Sequence, residues 1–298
     1  MTPNETTDDG SVFGQLRSSE REPYLLSMPT AVWFAVFLIV PLLAVGYYSL
    51  LGYSSYNVIF EVSLETWRST ITDPTVQSTF IRTLGVGVGV TILTLILGYP
   101  IAYYLRFYVG ELMGIILLLF LVIPFWTSGL IRTLGWFPIL GQSGAINFML
   151  ITFGVIEEPL TWILFSTFSQ VLGYLQNYLV FMAAPIYIAL SQIDEDLLDA
   201  SETLRAGPLS TFRNVTWPLS LPGVAIGCMF TFVLSVGNLT VPQFLSSGQA
   251  TATTLIYSRI GTLNYPVASS LSIILLVVIF TFVFTLLWFV DIREIAQG

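Results

Sequence analysis

No histidine and no lysine occur in the 298 residues, and cysteine occurs once, as Cys228. An intrachain disulfide and metal sites built from His and Cys are therefore excluded. Ser-His-Asp and Cys-His catalysis lack their base, and a Walker-type phosphate loop lacks its lysine. Charge is scarce too, at 9% of residues against about 25% in a soluble domain. The balance is acidic, net −8, and no polybasic patch offers itself to nucleic acid or to anionic lipid. No carboxylate pair lies inside an apolar run, as an intramembrane aspartic protease would need. The expectation is a non-enzymatic chain without a resident cofactor or metal and with no nucleic-acid partner.

What is present is apolar. Hydrophobic residues make up 55% of the chain, and the mean hydropathy is +0.82. Lipid must solvate much of such a surface. A bilayer core of about 30 Å takes about 20 helical residues to cross. Six runs meet that length, at 31–52, 81–105, 113–136, 161–190, 221–245 and 267–290. The expected fold is all-α, a polytopic bundle of six transmembrane helices. Residues 1–29 read as a disordered polar tail and 30–80 as the first span with an external segment. Residues 81–290 form a five-span core, and 291–298 are a second tail. The leading segment is acidic and no small-residue cleavage site follows, so it does not read as a signal peptide. Pro41, Pro100, Pro124, Pro185 and Pro242 fall within spans, where neighbouring helices can satisfy the freed carbonyls.

Orientation follows from arginine. With the N-terminus inside, Arg17, Arg21, Arg106, Arg205, Arg213 and Arg293 lie inside, against Arg68, Arg82, Arg132 and Arg259 outside. That bias puts both termini and the 191–220 loop in the cytoplasm of a multi-pass cell-membrane protein. The external segments are then 53–80, 137–160 and 246–266. Ile-Arg-Thr-Leu-Gly occurs at 81–85 and at 131–135, but the copies run in opposite directions through the membrane and read as coincidence.

The loop from 191 to 223 is the longest polar stretch between spans. Asp194 suits an N-cap, with Glu195 and Asp196 in the positive first turn. Leu197, Leu198 and Leu204 fall near one helical face beside Ala200. Gly207 is placed to end this helix and Pro208 to start another, with Phe212, Val215 and Trp217 on its apolar side and Pro218 as its stop. A membrane-surface helix would carry basic residues on its polar face. This one carries Asp194, Glu195, Asp196, Asp199 and Glu202, which favours a protein partner.

These residues resemble a known family. Asp199-Ala200-Ser201, Gly207 and then Phe212…Val215…Trp217-Pro218-Leu219…Pro222-Gly223 are similar to the cytoplasmic "EAA" loop of binding-protein-dependent ABC importer permeases. Gly98-Tyr99-Pro100-Ile101-Ala102-Tyr103, Ile123-Pro124-Phe125-Trp126-Thr127-Ser128, Ile131-Arg132-Thr133…Trp136 and Gly144-Ala145-Ile146-Asn147 resemble the spermidine/putrescine branch. The resemblance implies a type I importer permease fold whose coupling helix docks on an ABC ATPase subunit. Asp194, Leu197, Leu198, Asp199, Ala200, Ser201, Glu202, Leu204, Arg205 and Gly207 would carry that coupling. It also implies a second permease subunit, an extracytoplasmic substrate-binding protein and membrane lipid as partners. The cargo would be a polyamine, or else iron(III), thiamine or a phosphonate. Two positions depart from the pattern. Arg205 stands where the family places a glycine, so the turn is either displaced toward Gly207 or preceded by a longer helix. Asn238, in Gly237-Asn238-Leu239-Thr240-Val241-Pro242, replaces an acidic residue suited to a cationic cargo.

Polar groups inside spans are costly unless paired or facing a cavity. Asn177, Asn238 and Gln243 either line a pathway or bridge helices, as do Gln170 and Gln176. Arg132 and Trp136, one turn apart near the outer interface, are either gate contacts or a snorkelling arginine with a belt tryptophan. A stand-alone secondary transporter commonly carries charges within its spans for ion coupling, and these spans lack them.

Overall fold

The computed structural model describes residues 22–54, 57–246 and 250–289. Of the expected tails at 1–29 and 291–298, residues 1–21 and 291–298 lie outside the described residues, and 22–29 are helical. Six stretches are long and apolar enough to cross a membrane: Met28–Ser49, Pro74–Phe107, Gly129–Thr152, Thr167–Ser191, Pro208–Val236 and Tyr265–Trp288.

Helix α1 (Glu22–Phe34) passes through a π turn (Ala35–Ile39) into α2 (Val40–Ser49). It starts earlier than the composition predicts because Pro23 sits in the first turn, where no N–H is needed. A hairpin of β1 (Leu51–Ser54) and β2 (Asn57–Val62) and the short α3 (Glu65–Thr72) follow. This two-stranded sheet is the sole departure from an all-helical fold among the described residues. Helix α4 (Pro74–Phe107) is capped by Asp73, which accepts from the Thr75 N–H at 2.8 Å. Its 34 residues span about 51 Å, well beyond the bilayer core.

The third crossing is broken. Helix α5 (Glu111–Val122) ends in a 3-10 turn (Ile123–Trp126). Thr127 and Ser128 are extended, and Ser128 Oγ accepts from the Leu130 N–H at 3.3 Å to start α6 (Gly129–Leu134). The single helix expected over 113–136 is therefore two pieces. Short helices α7 (Phe137–Leu140) and α8 (Ala145–Thr152) follow. Although Gly129–Thr152 has the composition of a span, it is three short helices, and its partners lie on one end of the bundle. Trp136 bonds Gln176 and Phe137 packs on Phe165. A Cβ on Gly114 would instead meet the Leu105 carbonyl and the Tyr187 hydroxyl at the opposite end. The crossing thus belongs to Glu111–Leu134.

Helix α9 (Thr167–Ser191) is the axis of the bundle and packs mainly on α4 and on α12 (Trp217–Val236). The expected span began at 161, but 161–166 is non-helical, and Ser166 and Ser169 form a capping box. Small residues permit the close approach. Met182 of α9, fully buried, is wedged between Gly98 of α4 and Gly227 of α12, where added Cβ atoms would lie 3.0 and 2.7 Å from it. At Gly223 a Cβ would fall 2.5 Å from the Pro185 carbonyl and 2.7 Å from Ala189 Cβ.

Between α9 and α12 lie α10 (Glu195–Thr203), α11 (Pro208–Thr211) and a π turn (Phe212–Thr216). Pro218 does not stop this segment, and Pro208–Val236 runs as one continuous helical stretch. Proline has no N–H to give its fourth predecessor and its ring crowds that carbonyl, so the ladder widens to a π turn just before it. Pro41 follows its π turn in the same way. Past α12 the chain breaks at Gly237–Leu239, continues as α13 (Thr240–Leu245), and returns through α14 (Ala252–Gly261) to α15 (Tyr265–Phe289). The fifth span expected over 221–245 is thus α12 and α13 with a break between them. We call the end carrying α10 and α11 the loop end and the end carrying α6–α8, α13 and α14 the far end.

Candidate coupling loop and candidate pathway

Asp194 caps α10, its Oδ1 accepting the Asp196 N–H at 3.1 Å. The end of α10 is set by Arg205, which has φ +56°, a left-handed conformation that usually falls to glycine. The Ala206 N–H reaches back to the Ser201 carbonyl at 3.0 Å, the six-to-one bond of a Schellman ending. The turn therefore sits where the family places its glycine, with an arginine in it. Gly207, expected to end the helix, has φ −70° and precedes α11 as its N-cap.

The loop is pinned to the bundle on one side. Ser201, 7% exposed, donates to the Leu198 carbonyl at 2.9 Å and shares a 2.9 Å hydrogen bond with Thr211 Oγ1, tying α10 to α11. Leu198 packs against the core cluster of Tyr99, Leu105, Ile186, Tyr187 and Leu190. Of the residues drawn from sequence for coupling, Leu198 is thus partly buried against the bundle, whereas Leu197 is exposed. Phe212 and Trp217 meet Tyr99 at ring distances of 5.7 and 5.2 Å, and the Tyr99 hydroxyl is 2.9 Å from Ser220 Oγ. This aromatic anchor gives the Gly98–Tyr103 motif a physical role that sequence reasoning missed.

The other side is bare. Leu197, Ala200 and Leu204 stand at i, i+3 and i+7, one face of a helix. Leu197 is 47% exposed and Leu204 82%, with Leu209 of α11 at 79% and Ala200 exposed between them. Leu209 was not singled out from sequence, although an apolar residue just past a turn in a polar loop was the available signal. Asp199 is exposed, its carbonyl accepting from Thr203 Oγ1 at 3.0 Å. The side chain of Glu202 lies outside the described residues.

At the far end the sequence candidates separate. Asn238 lies in the break between α12 and α13. Its Nδ2 donates to the Tyr178 hydroxyl at 2.7 Å and its Oδ1 accepts the Val241 N–H at 2.8 Å. The Tyr178 hydroxyl donates onward to the Leu234 carbonyl at 2.9 Å, and Thr253 Oγ1 donates to the Asn238 carbonyl at 2.8 Å. Side chains thus re-satisfy the backbone groups that a broken membrane helix leaves open. Asn177, 5% exposed, donates to the Gly173 carbonyl at 2.7 Å while its Oδ1 has no partner. Gln243 is exposed on the face of α13 opposite Val241 and Leu245, where it lines a cavity of about 340 Å³ with Pro242, Tyr257 and Ser258. Trp136 Nε1 donates to Gln176 Oε1 at 2.7 Å. Arg132 lies over the Phe125 ring at 4.3 Å, and its Nε and Nη1 are buried without hydrogen bonds. Asn238 and Tyr178 come together, whereas Gln243 belongs to a separate cavity. No described residues group as a candidate metal centre.

A pinned amphipathic loop between spans thus lies at one end of the bundle and a broken helix at the other. The family described as "Binding-protein-dependent transport system inner membrane component" matches residues 94–294, and the chain belongs to it. It is similar to the inner membrane ABC transporter permease protein YdcU of Escherichia coli K12, with 30% identity over 271 residues and 86% of each chain covered. It is also similar to the spermidine/putrescine transport system permease protein PotB of Haemophilus influenzae, with 29% identity, covering 85% of this chain and 88% of that one. Among solved structures, a bacterial alginate ABC transporter bound to its alginate-loaded periplasmic protein superposes with a TM-score of 0.70. It is 16% identical, and 95% of this chain and 98% of that chain are covered. The chain is a multi-pass membrane permease of the ABC importer type.

Proposed function

We propose that this permease imports a polyamine such as spermidine or putrescine, driven by ATPase subunits that dock on the exposed Leu197–Ala200–Leu204–Leu209 face. The observation that carries the docking assignment is the loop's two-sidedness. One side is anchored by Leu198, Ser201, Phe212 and Trp217, and the other offers leucines that no described residue covers. The loop end and both termini are cytoplasmic, in keeping with the arginine bias, and the far end meets the extracytoplasmic binding protein. A second permease subunit completes the pathway. ATP-driven closure of the ATPases draws the α10–α11 units together, and the continuous Pro208–Val236 stretch carries that displacement into the bundle. The cargo assignment rests on the PotB relatives.

Co-purification tests the docking. Leu197→Glu with Leu204→Glu abolishes capture of the ATPase while the chain stays monodisperse, whereas retained capture refutes the docking face. Uptake of radiolabelled spermidine by the assembled importer tests the cargo. Failure to take it up, with binding-protein-stimulated ATP hydrolysis intact, removes the polyamine assignment and leaves the docking face standing.

A further inference from the structure

Two buried acceptor oxygens lie on one stripe of α9. Gln170, Gly173 and Asn177 are spaced i, i+3 and i+7. Gln170 is fully buried and Asn177 is 5% exposed, and neither Gln170 Oε1 nor Asn177 Oδ1 has a hydrogen-bond partner. The Asn177 orientation is fixed, because the Gly173 carbonyl only accepts and so must face the amide nitrogen. A buried unpaired amide oxygen costs about 1–3 kcal/mol and calls for an explanation.

The stripe has a cover. A Cβ on Gly173 would fall 2.8 Å from Leu245 and 3.1 Å from Val241, both on α13. Ser169 Oγ donates to the Leu245 carbonyl at 2.8 Å. Helix α13 therefore lies on the face that holds the two orphan oxygens. It is joined to α12 only through Gly237–Leu239, and at that break the Asn238–Tyr178 hydrogen bond is the polar tie to α9. Tyr174 and Tyr178, stacked at 5.8 Å, flank the same stripe.

We propose that the Gln170–Asn177 stripe is a cargo-contact face, that α13 is the lid covering it in this conformation, and that Gly237–Leu239 is the hinge with Asn238–Tyr178 as its latch. The ligand chemistry follows from the groups waiting there. The unpaired Asn177 oxygen takes a hydrogen-bond donor, and tyrosine faces take cations, so the fitting species carries ammonium groups. The one carboxylate in the described spans is Glu111, at the loop-end start of α5 beside Tyr187 and away from this stripe. A cation would be held weakly here and released, as passage requires. This ligand assignment deepens the polyamine reading and rests on it, while the lid does not.

The test uses the assembled importer in nanodiscs, with Cys228→Ala to clear the background thiol and Asn177→Cys as the reporter. A membrane-impermeant maleimide labels the Asn177→Cys thiol about tenfold faster in the vanadate-trapped than in the nucleotide-free state, and spermidine slows that labelling. Gln170→Cys behaves in the same way and serves if the first variant does not assemble. Equal labelling in both states overturns the lid. State-dependent labelling that spermidine leaves unchanged, in an importer that still takes up spermidine, overturns the contact face. If the unsubstituted importer takes up no spermidine, the polyamine reading fails, and the change in labelling rate still decides the lid.

Discussion

The two ends of the bundle handle proline and polar groups in opposite ways. At the loop end, Pro218 is absorbed by a π turn and the helical stretch stays continuous from Pro208 to Val236. At the far end the chain breaks at Thr127–Ser128, at Gly141–Gly144 and at Gly237–Leu239, and side chains such as Ser128, Asn147 and Asn238 take over the freed backbone groups. A continuous helix transmits displacement, whereas a broken one lets its pieces move separately. Under the proposed docking, a push on α10 and α11 would enter the bundle through the continuous stretch and be taken up where the chain is broken.

The largest expected effect falls at the close contact of α9 with α12, on which both ends depend. Gly223→Val places side-chain atoms where a Cβ alone already meets the Pro185 carbonyl at 2.5 Å. Separating α9 from α12 costs about 3 kcal/mol, the upper end of what overpacking usually costs. A collapse in the yield of monodisperse protein, with a much lower midpoint of thermal inactivation in detergent, is the expected result. A stable Gly223→Val chain would mean that α12 does not transmit by close packing.

The next effect separates the two sides of the loop. Leu197→Glu alone weakens ATPase capture by about 2 kcal/mol, roughly thirtyfold, without altering thermal stability, because Leu197 is half exposed. Leu198→Ala does the reverse. It loses packing on the cluster around Ile186 and Leu190 and lowers stability by about 1–2 kcal/mol. If both substitutions move both readouts together, the division of the loop into a seated and a docking face is wrong.

At the far end, Tyr178→Phe removes the hydroxyl that joins Asn238 to the Leu234 carbonyl. The lost bonds amount to about 1–2 kcal/mol. With the latch gone, ATP hydrolysis in the absence of binding protein rises severalfold. Tyr99→Phe, which deletes the bond to Ser220 at the loop end, costs about 1 kcal/mol and leaves that basal rate unchanged. Equal basal rates in the two variants would remove the distinction between a hinged and a rigid end.

How much of this was legible in the sequence depended on which force decided it. Apolar length placed the spans at α2, α4, α9 and α15 because lipid rewards nothing else. Asp194 was readable as a cap because its carboxylate has one local job, next to the helix it starts. The breaks were not readable. Thr127-Ser128 and Gly237-Asn238 interrupt apolar runs, and the second break is held by Tyr178 and Thr253, which are distant in sequence. Leu198 and Leu197 look alike in a periodicity plot, and what tells them apart is the cluster around Tyr99 and Leu190. The hairpin was not legible because Leu51 and Gly52 read as the end of the first span and 53–62 as part of an external segment, which split the two strands between two elements.

The smallest effect isolates a backbone preference. Arg205 holds φ +56° at the end of α10, a conformation costing a residue with a Cβ about 1–2 kcal/mol. Glycine removes that strain but gives back about 0.4–1 kcal/mol through the freedom of the unfolded chain. Arg205→Gly should therefore stabilise the loop by about 0.5–1 kcal/mol, seen as slower amide exchange across 195–206. Arg205→Val should destabilise it, since a β-branched residue tolerates positive φ poorly. The sign for glycine is the informative part. If Arg205→Gly loosens the loop, the guanidinium makes a contact worth more than the strain, and the arginine is kept for that contact. If it tightens the loop and ATPase capture falls, the arginine is kept for the partner. If it tightens the loop and capture is unchanged, the turn alone governs this position, and the Schellman ending of α10 is what the family's glycine provides.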